Sequence, residues 1–216
     1  MELNVTVNGK KCCFEIAPND MLADVLRREG FRGVKIGCRE GSCGACTVMF
    51  NGKPRNSCLT LAAMAEGAEI MTVEGLGTPD QPHLLQKCYV KHGAAQCGFC
   101  NPGSLISAKA LLDRNPNPTE DDVKEALDGN LCRCTGYIKR IEAILDAAQE
   151  MKKAAKAEKT AKAEKPAAKP AKAVKAAKPA KAEIPATKAA KAVKSAAKPA
   201  KAVKAAKPAK STRGKK

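Results

Sequence analysis

Gly37-Cys38-Arg39-Glu40-Gly41-Ser42-Cys43-Gly44-Ala45-Cys46 carries the clearest structural signal in this 216-residue chain. Its cysteines are spaced C-x4-C-x2-C, and eleven residues separate Cys46 from Cys58. That spacing is the plant-type arrangement for a [2Fe–2S] cluster. One tight loop must wrap a charged inorganic core with three thiolates and several backbone N–H donors. Gly37, Gly41 and Gly44 allow close approach and positive φ. The fourth thiolate, Cys58, then comes from a separate turn that closes the site.

Working outward, Leu3, Val5 and Val7 alternate with polar residues, and Asn8-Gly9 is a strong hairpin signal. Cys12, Phe14 and Ile16 resume the alternation. Pro18-Asn19-Asp20 offers a helix N-cap, with Met21, Leu22, Val25 and Leu26 on one face and Gly30 as the stop. Beyond the cysteine loop, Thr47–Phe50 reads as a strand, Asn51-Gly52 as a turn and Glu69–Val73 as a last strand. The ββα–loop–β…β order makes residues 1–78 an α+β domain with a small mixed sheet.

Residues 79–150 read as helical. Leu84, Leu85, Cys88 and Tyr89 have helical spacing. Asn101-Pro102 is a cap with Pro at the first helical position, ahead of Leu105, Ile106 and Leu111. Thr119 and Asp122 form a capping box before Val123 and Leu127. Ile138, Ile141, Ile144 and Leu145 mark a final helix, so four helices form a compact bundle. This segment holds a second quartet: Cys97-x2-Cys100, then thirty-one residues to Cys132-x-Cys134. Both pairs stand just ahead of helix starts, where the dipole and free N–H groups stabilise thiolates. Spacing alone leaves structural zinc and iron–sulfur evenly matched here.

Residues 151–216 hold 22 of the 39 basic residues and 3 of the 22 acidic ones, so the tail is about +19 and residues 1–150 about −2. Lys-Ala-Val-Lys-Ala-Ala-Lys-Pro-Ala-Lys occurs at 172–181 and again at 201–210. Prolines 166, 170, 179, 185, 199 and 208 interrupt a helix-favouring Ala/Lys background. With few large apolar side chains to offset ordering entropy, 151–216 is expected to be a disordered basic tail. Its composition is like that of linker-histone tails, which bind DNA through phosphate neutralisation. It has no aromatic residue to stack on bases, so a solvated appendage that loosely docks acidic surfaces is favoured over nucleic-acid binding. Met1-Glu2-Leu3-Asn4-Val5 has neither a basic n-region nor an apolar h-region, and no run approaches a membrane span. A cytoplasmic location is expected, where dense Cys reads as metal binding before disulfides.

Four runs resemble the small iron–sulfur subunit of the xanthine dehydrogenase, or molybdenum hydroxylase, family. They are Gly37–Val48, Ser57–Leu61, Gly93–Cys100 and Gly129–Tyr137. The resemblance covers residues 1 to about 150 and excludes the tail. It implies an N-terminal ferredoxin-like β-grasp domain and a four-helix-bundle [2Fe–2S] domain. It assigns Cys38, Cys43, Cys46 and Cys58 to one cluster. Cys97, Cys100, Cys132 and Cys134 go to the other, which moves that site from zinc to iron–sulfur. The implied role is the electron-transfer subunit of an oxidoreductase complex. Electrons pass from molybdopterin on a large subunit, through the helical-domain cluster and then the plant-type cluster, to a flavin, usually FAD on a third subunit. Gln96 matches the position that contacts the pterin, and Cys134 matches a ligand close to it. The chain departs from the family at Asn101 and Ser104, where Thr and Met are common.

No residue here is a candidate acid, base or nucleophile toward substrate. Cys12, Cys13 and Cys88 read as small structural hydrophobes. His83 and His92 read as surface or helix-end residues, and Arg133 either tunes a cluster or faces solvent. The small subunits of carbon monoxide dehydrogenase and hydroxybenzoyl-CoA reductase share these motifs. A free two-cluster carrier with a nucleic-acid-binding tail is the alternative of a different class. A permanent partner requires an apolar face around Gln96, Phe99 and Tyr137, whereas a free carrier requires a polar one.

Overall fold

Two Asn-Gly turns frame the sheet. In the computed structural model, which describes residues 1–163, β1 (Glu2–Val7) and β2 (Lys10–Glu15) pair antiparallel in register Glu2–Glu15 to Val7–Lys10. Asn8 and Gly9 both take positive φ, 51° and 77°, the turn geometry that matches strand twist. Asn51-Gly52 repeats this between β3 (Thr47–Phe50) and β4 (Lys53–Asn56). β5 (Glu69–Met71) runs parallel to β1 and antiparallel to β3, giving a mixed sheet of order β2-β1-β5-β3-β4. β4 has no alternating pattern to announce it. As an edge strand it tolerates Pro54, which has no N–H to donate.

α1 (Leu22–Arg28) buries Leu22, Ala23, Val25 and Leu26 against this sheet's core of Leu3, Val5, Val48 and Ile70. Asp20 does not cap it. Met21 occupies the N-cap without a side-chain bond. Asp20 instead accepts from the Ala17 N–H at 3.0 Å and pairs with Arg28 at 3.1 Å, closing the preceding turn. The last strand ends at Met71 rather than Val73. The Asn8 side chain accepts from the Thr72 N–H at 2.8 Å, and the chain turns at once into α2 (Val73–Leu76).

The four expected helices follow: α3 (Leu84–Lys91), α4 (Asn101–Arg114), α5 (Glu120–Leu127) and α6 (Ile138–Ala163). Cys100 takes the N-cap of α4, one residue before the expected cap at Asn101. The Thr119–Asp122 capping box forms as read. A second core gathers Leu85, Tyr89, Leu111, Val123, Leu127 and Ile144. α4 packs along β3, so both cores lie in one compact unit. α6 continues past residue 150, where the tail was expected to begin, to Ala163. Ala and Lys extend the helix where no proline interrupts them before Pro166. The rest of the tail lies outside the described residues.

α3 and α6 are stitched on their outer side. Lys91 Nζ pairs with Asp146 at 2.7 Å and Glu150 at 3.2 Å, and His92 Nε2 lies 2.9 Å from Asp146. Cys88 is buried beside Glu150. Cys88, Asp146 and Glu150 cluster like metal ligands, but the Lys91 ammonium supplies their cation. Cys12 is half-buried against the first core. Cys13, expected to be buried, is exposed, because adjacent strand residues face opposite ways. No described helix is long and apolar enough to cross a membrane.

Both histidines sit at ends of α3, His92 at its C-cap and His83 at its N-cap. His83 Nδ1 accepts from the Leu85 N–H at 3.2 Å, and Gln86 Oε1 accepts from the His83 N–H at 2.7 Å. Burial, then the Lys109 charge, holds this imidazole below its ordinary range. A depressed base favours the fold when neutral. Its contribution is therefore present above the unfolded value of 6.5 and lost as pH falls toward the folded one. Thermal melts should show a loss of stability from about pH 7 to about pH 5 that His83→Asn, which keeps a capping acceptor, flattens. An unchanged slope in the variant would show that His83 has no part in it.

Candidate metal centres

The first quartet is held by anchors outside its own loop. Arg39, Gly41 and Gly44 take positive φ, 59°, 78° and 66°, so the chain curls tightly from Cys38 to Cys46. The Arg39 guanidinium forks onto Asp24 of α1 with two bonds of 2.8 Å. Asn56 Nδ2 donates to the Gly41 carbonyl at 2.8 Å, and Thr47 Oγ1 to the Gly44 carbonyl at 2.7 Å. Ser57 Oγ donates to the Cys46 carbonyl at 2.6 Å, which ties the loop to the turn Ser57–Leu59 that carries Cys58. Spacing did not reveal these polar anchors, which lie on α1, β3, β4 and the next turn.

The thiols divide by environment. The Glu40 N–H, then the Cys43 N–H and the Ser42 and Cys43 side chains, bring Cys38 down to about 6. Burial, with Cys58 beside it, pushes Cys46 up to about 11. A buried thiol facing other thiols is a poor anion in an apolar setting and a good metal ligand, since coordination removes its proton outright. None of the eleven cysteines forms a disulfide. The side chains contact one another as Cys38 with Cys43 and Cys46 with Cys58.

The second quartet comes from two turns. Cys97 and Cys100 flank the head of α4, while Cys132 and Cys134 stand before α6. Cys97 Sγ and Cys134 Sγ lie 3.6 Å apart, and Cys132 contacts Cys100. Burial raises Cys132, but Thr135 outweighs it through Oγ1 at 3.2 Å and N–H at 3.4 Å, leaving a value of about 7. The Phe99 N–H lowers Cys97, contact with Cys97 raises Cys134, and burial raises Cys100. Tyr137, at φ 71°, turns its hydroxyl back to accept the Cys132 N–H at 2.7 Å. The structure brings the eight expected ligands together in pairs, Cys38 with Cys43, Cys46 with Cys58, Cys97 with Cys134 and Cys100 with Cys132.

Arg140 was not visible as a site residue. The apolar spacing puts Ile138 on the buried face of α6, yet it is 68% exposed, whereas Arg140 is 1% exposed. The buried face of α6 is Arg140, Ala143, Ile144 and Ala147, and Ile138 lies on the other side. Arg140 Nη2 reaches Cys100 Sγ at 3.0 Å and Asn101 Oδ1 at 2.8 Å, while Nη1 reaches Ser104 Oγ at 3.3 Å. Helical phase with Ile144 and Ala147 was the signal that could have found it. Arg133, between two thiols, is exposed, as is Gln96 beside Cys97.

The quartets also meet. The Leu131 N–H donates to the Cys43 carbonyl at 3.0 Å, linking the neighbour of Cys132 to a residue of the first quartet. Gly44 lies against Gly129, Asn130 and Gly103, so closely that a Cβ on it would strike the Gly129 carbonyl.

Two family models cover the folded region. A 2Fe-2S iron-sulfur cluster binding domain matches residues 5–72, and a [2Fe-2S] binding domain matches residues 72–145. The nicotinate dehydrogenase small FeS subunit of Eubacterium barkeri is 48% identical over 148 residues, 68% of this chain and 94% of that protein. The aldehyde oxidoreductase of Megalodesulfovibrio gigas is 47% identical over 148 residues, 67% of this chain but 16% of that longer protein. The crystal structure of quinoline 2-oxidoreductase from Pseudomonas putida 86 contains a chain that is 47% identical. It superimposes with a TM-score of 0.68 over 71% of this chain and 96% of that one. Two cluster-binding modules in one order, at this identity and coverage, place the chain in the small iron–sulfur subunits of the molybdenum hydroxylases, the family of xanthine dehydrogenase and aldehyde oxidoreductase.

Proposed function

We propose that this chain conducts electrons between two [2Fe–2S] sites, one within residues 1–78 and one within residues 79–150. Cys38 and Cys43 would hold one iron of the first site, and Cys46 and Cys58 the other. Cys97 with Cys134 and Cys100 with Cys132 would divide the second in the same way. The observation that carries this function is the 3.0 Å bond from the Leu131 N–H to the Cys43 carbonyl. It gives a short covalent and hydrogen-bonded path from one ligand set to the other. Electrons enter at the second site, from a molybdopterin on a large partner subunit near Gln96 and Cys134. They leave from the first site toward a flavin-bearing subunit.

The surface around the second site favours a permanent partner over a free carrier. Phe99 and Leu131 are 47% and 56% exposed, beside exposed Ile138 and half-buried Tyr137. The substrate chemistry would then take place on that partner. Metal analysis and EPR of the reduced full-length protein test the assignment. Two distinct [2Fe–2S] signals with negligible zinc are expected. Zinc accompanied by a single iron–sulfur signal would overturn the second site. Molybdenum and flavin that co-purify with the native complex test the circuit.

A further inference from the structure

Arg140 is the one charged side chain among the buried described residues. A guanidinium keeps its charge at any accessible pH, and a buried charge needs a countercharge. Among the described residues no carboxylate pairs with it. Asn101 Oδ1 and Ser104 Oγ are neutral, and the buried Nε has no partner. Among the described residues, the ionisable group within hydrogen-bond reach of the guanidinium is Cys100 Sγ, 3.0 Å from Nη2. Asn101 and Ser104 both stand at the start of α4. Together they form the slot. Ser104 is short and fully buried, and Asn101 supplies an acceptor to the fork. The first site lacks this arrangement, because Arg39 beside Cys38 is exposed and already neutralised by Asp24.

We infer that Arg140 sets the reduction potential of the second site, raising it; this rests on the ligand assignment above. Reduction adds one electron to a site that four thiolates already make anionic. A fixed cation and an N–H···S bond therefore stabilise the reduced form more than the oxidised one. Exclusion of water strengthens the effect. Under the direction proposed above, electrons are drawn from the pterin side toward the site that Arg140 supports. Arg140 is a positioning and tuning residue and touches no substrate.

The test is a redox titration of the full-length holoprotein followed by EPR. Cys38→Ala and Cys134→Ala each remove one signal and so assign the two. Arg140→Met should lower the second-site potential by a tenfold or greater change in the reduction equilibrium, ~59 mV for one electron. The first-site potential should move less than twofold, ~18 mV. Arg140→Lys, which keeps the charge, should recover at least half of the shift. Asn101→Asp leaves the guanidinium in place and sets a carboxylate against it. It should lower the same potential, which keeps the test decisive if Arg140→Met loses its cluster. An unmoved second-site potential in Asn101→Asp, or in a fully loaded Arg140→Met, overturns the inference and leaves the ligand assignment standing. Only the absence of a second signal in the unmodified protein counts against the assignment itself.

Discussion

Gly103→Ala is expected to lower the apparent melting temperature by roughly 5–10 °C, corresponding to about 1–3 kcal/mol of overpacking in a domain of this size. Helix propensity alone predicts the opposite sign, since Ala in place of Gly inside a helix ordinarily stabilises by about 1 kcal/mol. Gly103 is buried in the first turn of α4. A Cβ there would run into the Gly44 carbonyl and come within 3.0 Å of Asn130 Oδ1. Neither side yields easily. The Gly44 carbonyl is held by Thr47 through Oγ1 at 2.7 Å and N–H at 3.2 Å, and Gly44 itself sits at φ 66°. Relief must come from moving α4, and that displaces Cys100 at its N-cap. Loss of second-site iron should accompany the fall in stability. Gly129→Ala, whose Cβ meets open space, is the control and should melt within about 2 °C of the unmodified protein. A Gly103→Ala protein that melts higher than the parent would mean that the two modules are not packed through this contact.

Alanine substitution through all eleven cysteines should divide them sharply. Cys38, Cys43, Cys46 and Cys58 should each abolish one EPR signal and about half of the iron, and leave the other signal intact. Cys97, Cys100, Cys132 and Cys134 should do the same for the second signal. Cys12→Ala and Cys13→Ala should keep both signals and all the iron. Cys88→Ala should keep the iron as well, at a stability cost of about 1 kcal/mol for its buried thiol. The contrast is expected because, among the described residues, the thiols of the proposed ligands contact one another. Cys88 faces carboxylates and an ammonium instead. A first group that removes iron and a second that removes only zinc would identify the helical site as structural zinc.

The cysteine spacing was readable without coordinates because ligand geometry leaves little freedom. Three thiolates on one loop must fall at fixed intervals with glycines between them. The Asn8-Gly9 and Asn51-Gly52 turns were readable for a related reason, since few residues accept two consecutive positive φ values. Elements held by long-range contact were harder to see. β4 carries no alternation, and it forms because β3 offers a free edge. Asp20 sits where a helix cap is expected, but Arg28 and Ala17 compete for it. The extension of α6 past residue 150 follows from Ala/Lys propensity that outlasts the apolar face.

The local sequence therefore established the order of the two modules and the cysteine spacing of the plant-type loop, because each depends on intervals within one short segment. Assembly decided which charge serves which thiol. Arg133 is nearest the second quartet in sequence and lies exposed, while Arg140 is carried inside by the phase of a helix. Assembly also brought Cys43 to Leu131 and Gly44 to Gly103, across 88 and 59 positions of the chain respectively. Such contacts arise where two cores press together, and no periodicity within either segment encodes them.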